Sequence, residues 1–237
     1  MSDEQRPLNI AILVCPGFMP VDVIAFHWAL SAQPRTTVHL VGKTLDEIAG
    51  HPHFPTRATT TFEDCPADLD VLYTGAVPVE VLEDAETLAF LADRGSRATW
   101  VAGVCAGSLL LGAAGLLRGY RATSNFHMYD LLPYYGATLV PTNHVVEDGN
   151  RLTAGPATGS HEIALRVVQD LRGIEAARLT ELTMEYAPTP PFGVGTPELA
   201  GPELTRAAIA ATAADVGPFL DASKRAAERL GVLVRPA

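Results

Sequence analysis

Residues 99–117 read TWVAGVCAGSLLLGAAGLL, and the change of pattern at Cys105 decides the fold. Residues 98–104 form a short, uninterrupted apolar run with β-branched and aromatic side chains, as expected of a strand buried on both faces. Residues 106–117 are small and leucine-rich, without proline or β-branched residues, which predicts a helix over 106–117. A lone thiol therefore stands at a strand-to-helix corner, where helix amides and the positive end of the helix dipole favour a thiolate. Gly103 and Gly107 flank it and are expected to let the backbone turn tightly. Two readings follow: a nucleophile held on an elbow, or a structural cysteine buried at a strand end.

Working outward, residues 8–15 read as a buried strand, 20–32 as a helix and 37–41 as a second strand, so the chain opens with a βαβ unit. The pattern recurs with a strand at 69–74, a helix at 84–97 and the strand at 98–104 that delivers Cys105. This alternation predicts an α/β fold: a doubly wound, mostly parallel sheet with helices on both faces and ligands beyond the carboxyl ends of its strands. Residues 15–22, 75–77 and Cys105 all fall at such ends. Residues 51–62 are polar and threonine-rich, as in a hairpin or loop excursion. Residues 145–153 carry Asp148-Gly149-Asn150 between two short strands. Both segments read as trim around the scaffold. Residues 188–202 are too rich in proline and glycine for regular structure, and 203–230 return to alanine-rich helical composition. The division expected is an α/β domain over 1–197 and a helical extension over 198–237 that packs on the domain or on a second subunit.

A chain of 237 residues with 48% hydrophobic content can bury one sizeable core. Lys and Arg total 17 against 27 Asp and Glu, a formal net charge of −10. That balance disfavours nucleic acid and anionic membrane surfaces as partners. Cys15, Cys65 and Cys105 give neither a disulfide framework nor paired metal-ligand spacing, which fits a reducing cytoplasm. The opening MSDEQR is polar and the apolar run after it is too short for a signal sequence or a span, so a soluble, unprocessed chain is expected.

A thiolate nucleophile needs a neighbour that sets its protonation and passes protons to the substrate. The elbow supplies no histidine, since Ala106 follows Cys105. Asp22 is the best candidate, at the start of the first predicted helix among apolar neighbours. Desolvation there would raise its pKa and let it share a hydrogen bond with the sulfur, whereas the alternative is a plain helix cap. His127 is placed to border the pocket or to serve as an ordinary structural group, His161 opens a helix predicted over 160–171, and His27, one helical turn past Asp22, is a conceivable pocket-wall position. His39, His51, His53 and His144 read as surface or edge positions. Cys15 is either a resolving thiol or a small buried hydrophobe. No metal-ligand spacing stands out among the histidines.

Asp22 in a strand-helix turn, Val104-Cys105-Ala106-Gly107-Ser108 with the LGAAGLL string at 111–117, and GYRAT at 119–123 resemble the ThiJ/PfpI family of class I glutamine-amidotransferase-like proteins. Within it, EYAPTPPF at 185–192 and DGNRLTAG at 148–155 are similar to the isonitrile (isocyanide) hydratase branch. The likeness runs from about residue 8 to 196. The resemblance implies a dimeric, flavodoxin-like sandwich in which Cys105 attacks the carbon of an isonitrile. Asp22 would protonate that carbon and then activate water, releasing an N-substituted formamide. It implies substrate-binding or oxyanion roles for Gly75, Ala76, Ala106, Asn125, Phe126 and His127, and no metal or organic cofactor. The chain departs from the branch pattern at Ala106, where threonine is usual, and at Tyr73-Thr74-Gly75-Ala76-Val77, where Pro-Gly-Gly-x-Gly is usual. It departs again at residues 123–127 and 155–160. Such changes around the site, with the scaffold kept, point to altered substrate choice. The alternatives are an enzyme of the same family acting on another small electrophile, with glyoxalase-like or specialised-metabolism chemistry, or a non-catalytic thiol-based redox sensor.

Overall fold

Residues 6–233 are described by the structure, a computed structural model; the expectation of an unprocessed N-terminus falls on residues 1–5, outside them. In chain order the elements are β1 (Leu8–Leu13), α1 (Pro20–Ser31), β2 (Thr36–Gly42), β3 (Glu47–Gly50), β4 (Phe54–Arg57), β5 (Thr60–Thr61) and β6 (Val71–Thr74). They continue with α2 (Ala85–Arg97), β7 (Trp100–Val104), α3 (Ala106–Ala113), β8 (Arg121–Ala122), β9 (Thr138–Leu139), β10 (Val146–Asp148) and β11 (Arg151–Ala154). Helices α4 (Thr158–Arg172), α5 (Ile174–Thr183) and α6 (Pro197–Leu230) close the chain.

Seven strands form the central sheet in the order β10-β11-β7-β6-β1-β2-β5, parallel throughout except for β10 against β11. Alternation along each strand splits the core in two. Leu8, Ile10 and Ile12 of β1, Val71 and Tyr73 of β6, and Ala102 and Val104 of β7 pack with Phe26, Leu30, Ile163 and Val167 of α1 and α4. Ala11, Leu13, Leu72 and Val101 point the other way, onto Leu91 of α2 and Leu109, Leu110 and Leu111 of α3. Each fully buried aliphatic side chain contributes roughly 1.5–3 kcal/mol, so the apolar runs that predict strands also bind both helical layers. This is the expected mostly parallel, doubly wound α/β sheet with helices on both faces.

The differences are local. Helix α3 stops at Ala113, because Gly115 takes φ +80° and turns residues 114–117 out of the helix. The segment over 51–62 is split: its first part to Arg57 completes an antiparallel β3–β4 hairpin whose first arm begins earlier, at Glu47, and Thr60–Thr61 form β5, paired parallel to β2 at the end of the central sheet. Residues 145–153 are more than trim: β11 is an interior strand, paired parallel to β7 from Arg151↔Val101 to Ala154↔Val104. Helix α5 has no counterpart in the sequence reading. Helix α6 starts at Pro197, capped by Thr196, and kinks at Gly201 (φ 75°, ψ 170°) before its long arm. That arm buries Phe219, Ala222, Ser223, Ala226 and Ala227 against the body, where Ser223 Oγ and the Tyr135 hydroxyl pair at 2.8 Å.

Candidate active site

The carboxyl ends of β1, β6, β7 and β11 lie side by side at one edge of the sheet, and the chain leaving each one supplies part of a single cluster. After β7 comes Cys105, the residue before α3, with φ 54° and ψ −138°. A non-glycine residue there is strained, and its main chain is pinned at both ends. Its amide donates to the Ala154 carbonyl at 3.1 Å; its carbonyl accepts from Ser124 Oγ at 2.6 Å and from the Ser108 amide at 3.1 Å. The tight turn is thus made by Cys105 itself, not by Gly103 or Gly107, neither of which has a positive φ. Gly107 serves close approach instead. A Cβ on it would stand 2.3 Å from the Thr74 carbonyl oxygen and 2.6 Å from that of Gly75, so only glycine lets α3 dock on the end of β6.

Asp22, in the first turn of α1, is fully buried and makes no cap for its own helix. Oδ2 accepts from the Ala76 amide at 3.1 Å, just beyond β6, and Oδ1 accepts from the Ala157 amide at 2.9 Å, just beyond β11. Ala157 reaches that position through a second strained backbone, φ 53° and ψ −87°. The Tyr73 hydroxyl donates to the Asp22 carbonyl at 2.5 Å while its ring stacks on Phe26, fixing the first turn of α1 on the sheet. Burial pushes the Asp22 carboxyl above its ordinary range, and the two amides only partly oppose it.

Asn125 Nδ2 donates to Cys105 Sγ at 3.1 Å. Burial pushes the thiol up to about 11, the Asp22 charge adds to the rise, and the Asn125 donor and the Ala106 amide pull the other way. Each of the two acids makes the other's charge costlier, so at neutral pH the pair carries at most one negative charge. Among the described residues the sulfur's side-chain hydrogen-bond partner is Asn125 rather than the expected Asp22, whose two oxygens accept from the Ala76 and Ala157 amides and which acts on the thiol through its charge.

The structure brings Asp22, Cys105, Ala106, Asn125 and the Gly75-Ala76 turn together. A Cβ on Gly75 would sit 2.9 Å from that of Asp22. The Ala76 amide, expected to steady charge on a substrate, donates to Asp22. Phe126 and His127 follow Asn125, their rings edge to face at 5.1 Å. Burial lowers the His127 pKa while the Asp215 charge on α6 opposes the change. His161 stacks on Tyr186 at 4.8 Å, and His39 bonds Thr60 Oγ1 at 3.0 Å within the sheet. His27 is half-buried. Cys15 borders a cavity of about 720 Å³ together with Val14, Lys43, Phe62 and Asp84; neither Cys105 nor Asp22 lines it. Burial holds that thiol at about 12. Sequence reasoning missed Ala157 and Ser124; the signal available was the Gly-Pro-Ala step between a strand and a helix at 155–157. Among the described residues no three His, Cys, Asp or Glu side chains gather as a metal site, and no helix is long and apolar enough to cross a membrane.

The model of the DJ-1/PfpI family matches residues 8–170, which include Asp22, Cys105, Asn125 and Ala157. The chain belongs to the DJ-1/PfpI family. Within that family it is 39% identical over 227 residues to an isonitrile hydratase of Pseudomonas putida, covering 95% of this chain and 99% of that protein. A ThiJ/PfpI family protein from Pseudomonas syringae shares its structure with a TM-score of 0.88 at 35% identity, over 96% of this chain and 97% of that one. Drosophila melanogaster DJ-1beta superposes with a TM-score of 0.70 over 77% of this chain and all of its own, at 19% identity, a likeness of fold alone.

Proposed function

We propose that this DJ-1/PfpI protein is a cysteine-dependent hydratase that adds water to the carbon of an isonitrile and releases an N-substituted formamide. The observation that carries the reading is the buried Asp22 carboxyl, held by two amides where its charge acts on the Cys105 thiol. Similarity to an isonitrile hydratase along almost the whole chain supports the substrate class. In the first step the Cys105 sulfur bonds to the isonitrile carbon, and Asp22 transfers the thiol proton to that carbon, leaving a thioimidate and a carboxylate. Asp22 then takes a proton from water as the hydroxide oxygen bonds to the same carbon and passes that proton to the nitrogen, returning to the carboxylate. Collapse breaks the carbon–sulfur bond and returns a proton to Cys105. The Ala106 amide, at the start of α3, lies beside the sulfur, where it steadies negative charge.

A redox-sensing thiol is the weaker reading: a sulfur held at about 11 is little ionised at neutral pH, which weighs on both readings, and only the hydratase reading gives the thiol proton a route, through Asp22 to the substrate carbon. We further place the protein as a homodimer in a reducing cytoplasm. Val21, Ile24 and Trp28 support the dimer: they follow one face of α1 and are 50%, 51% and 43% exposed. The test of the activity is incubation with an alkyl isonitrile and chromatographic detection of the formamide. Wild-type protein is expected to turn over and Cys105→Ala to be inactive; wild-type protein that leaves the isonitrile unchanged overturns the substrate assignment.

A further inference from the structure

Asn125 is 3% exposed, and its two amide atoms are unequally used. Nδ2 holds the Cys105 sulfur at 3.1 Å, whereas Oδ1 is buried without any hydrogen-bond partner. Its position is not loose: the Asn125 carbonyl accepts from the Met128 and Tyr129 amides at 3.0 and 2.9 Å, and the neighbouring Thr123 amide donates to Thr153 Oγ1 at 2.9 Å. A buried acceptor left unpaired beside a nucleophile is uncommon in folded proteins and calls for a donor that arrives with the ligand.

We propose that Asn125 is a catalytic residue for the hydration half of the reaction, with Oδ1 accepting the N–H that the intermediate acquires when water adds. This rests on the isonitrile reading. The free isonitrile carries no N–H or O–H, and neither does the thioimidate formed by adding the thiol across its carbon, R–N=CH–S. Only after water adds, giving R–NH–CH(OH)–S, does the nitrogen next to the sulfur-bearing carbon become a donor. The carbon is bonded to the sulfur that Nδ2 holds, so the new N–H forms beside the same amide plane. An interaction realised only at that stage lowers the barrier to hydration and leaves ground-state binding unchanged.

The experiment uses cyclohexyl isonitrile, rapid quenching and intact-protein mass spectrometry on wild type, Asn125→Leu and Asn125→Asp. For Asn125→Leu, which lacks both donor and acceptor, the expected result is a Cys105 adduct heavier by one isonitrile that decays at least about tenfold more slowly than in wild type. KM is not expected to rise. Asn125→Asp keeps an acceptor oxygen; it is expected to slow adduct formation, through a second carboxylate beside the sulfur, without making the adduct persist. Asn125→Ala serves the same comparison if leucine disturbs folding. An Asn125→Leu enzyme whose adduct decays at the wild-type rate, or that loses activity with no adduct, overturns the role of Asn125 while wild-type turnover stands. Wild-type protein giving neither formamide nor adduct overturns the isonitrile reading, and this inference with it.

Discussion

Cys105 and Ala157 both hold φ near +50°, at the ends of neighbouring strands, and each such residue costs on the order of 1–3 kcal/mol of backbone strain. Together they frame Asp22: one presents the sulfur, the other donates an amide to the carboxylate. Because the Asp22 charge helps push the Cys105 thiol up, Asp22→Asn is expected to move the midpoint of iodoacetamide alkylation to lower pH even as hydration is lost. The same carboxyl shapes stability. Its folded pKa is raised, so its contribution is full below the unfolded value of 3.8 and is lost as pH rises through the folded pKa. Urea titrations should therefore show Asp22→Asn gaining on wild type as pH climbs through that window. Cys105 and Asp22 were legible in the sequence because a thiol at a strand-helix corner and a carboxyl among apolar residues are both conspicuous side chains. Ala157 and Ser124 were not, since one acts through a main-chain amide and the other binds a main-chain carbonyl.

Strands β1, β6 and β7 were readable because each is an unbroken apolar run between turn residues, and the parallel sheet follows from their alternation with helices. The end of α3 was not, since the leucines at 116 and 117 continue the apolar composition past the turn that Gly115 makes. Nor was the interior place of β11, whose burial comes from pairing with β7 rather than from its own short, polar-flanked sequence. The contact between α3 and the end of β6 is the most sensitive point at this scale. Gly107→Ala would drive a methyl into two carbonyl oxygens, and the expected loss is about 1–3 kcal/mol of stability by urea unfolding. A variant as stable as wild type would show that α3 can shift without cost.

The molecule as a whole is a sheet with two helical layers, to which the long arm of α6 adds a further cover. Arg225 of that arm bonds Glu83 through Nη2 at 2.8 Å, but the pair is exposed and contributes little. Phe219 and Ala226, packed in the core, and the buried Ala222, with the Ser223–Tyr135 bond, hold the arm in place. Phe219→Ala is therefore expected to cost about 3 kcal/mol in a denaturant melt while leaving kcat within about twofold, since α6 supplies neither Cys105 nor Asp22. The helical composition of 203–230 announced this arm; the start at Pro197 lay hidden in a proline-rich stretch where Thr196 provides the cap. The mooring of Asp22 has a last consequence. Its two amide donors sit on loops from separate strands, and both favour the ionised carboxylate, so the acid's protonation is coupled to how closely those strand tips are gathered. The carboxyl is in effect a gauge of the sheet's open edge: any spreading of that edge releases the amides and lets Asp22 take up a proton, which in the proposed reaction would halt the removal of a proton from water.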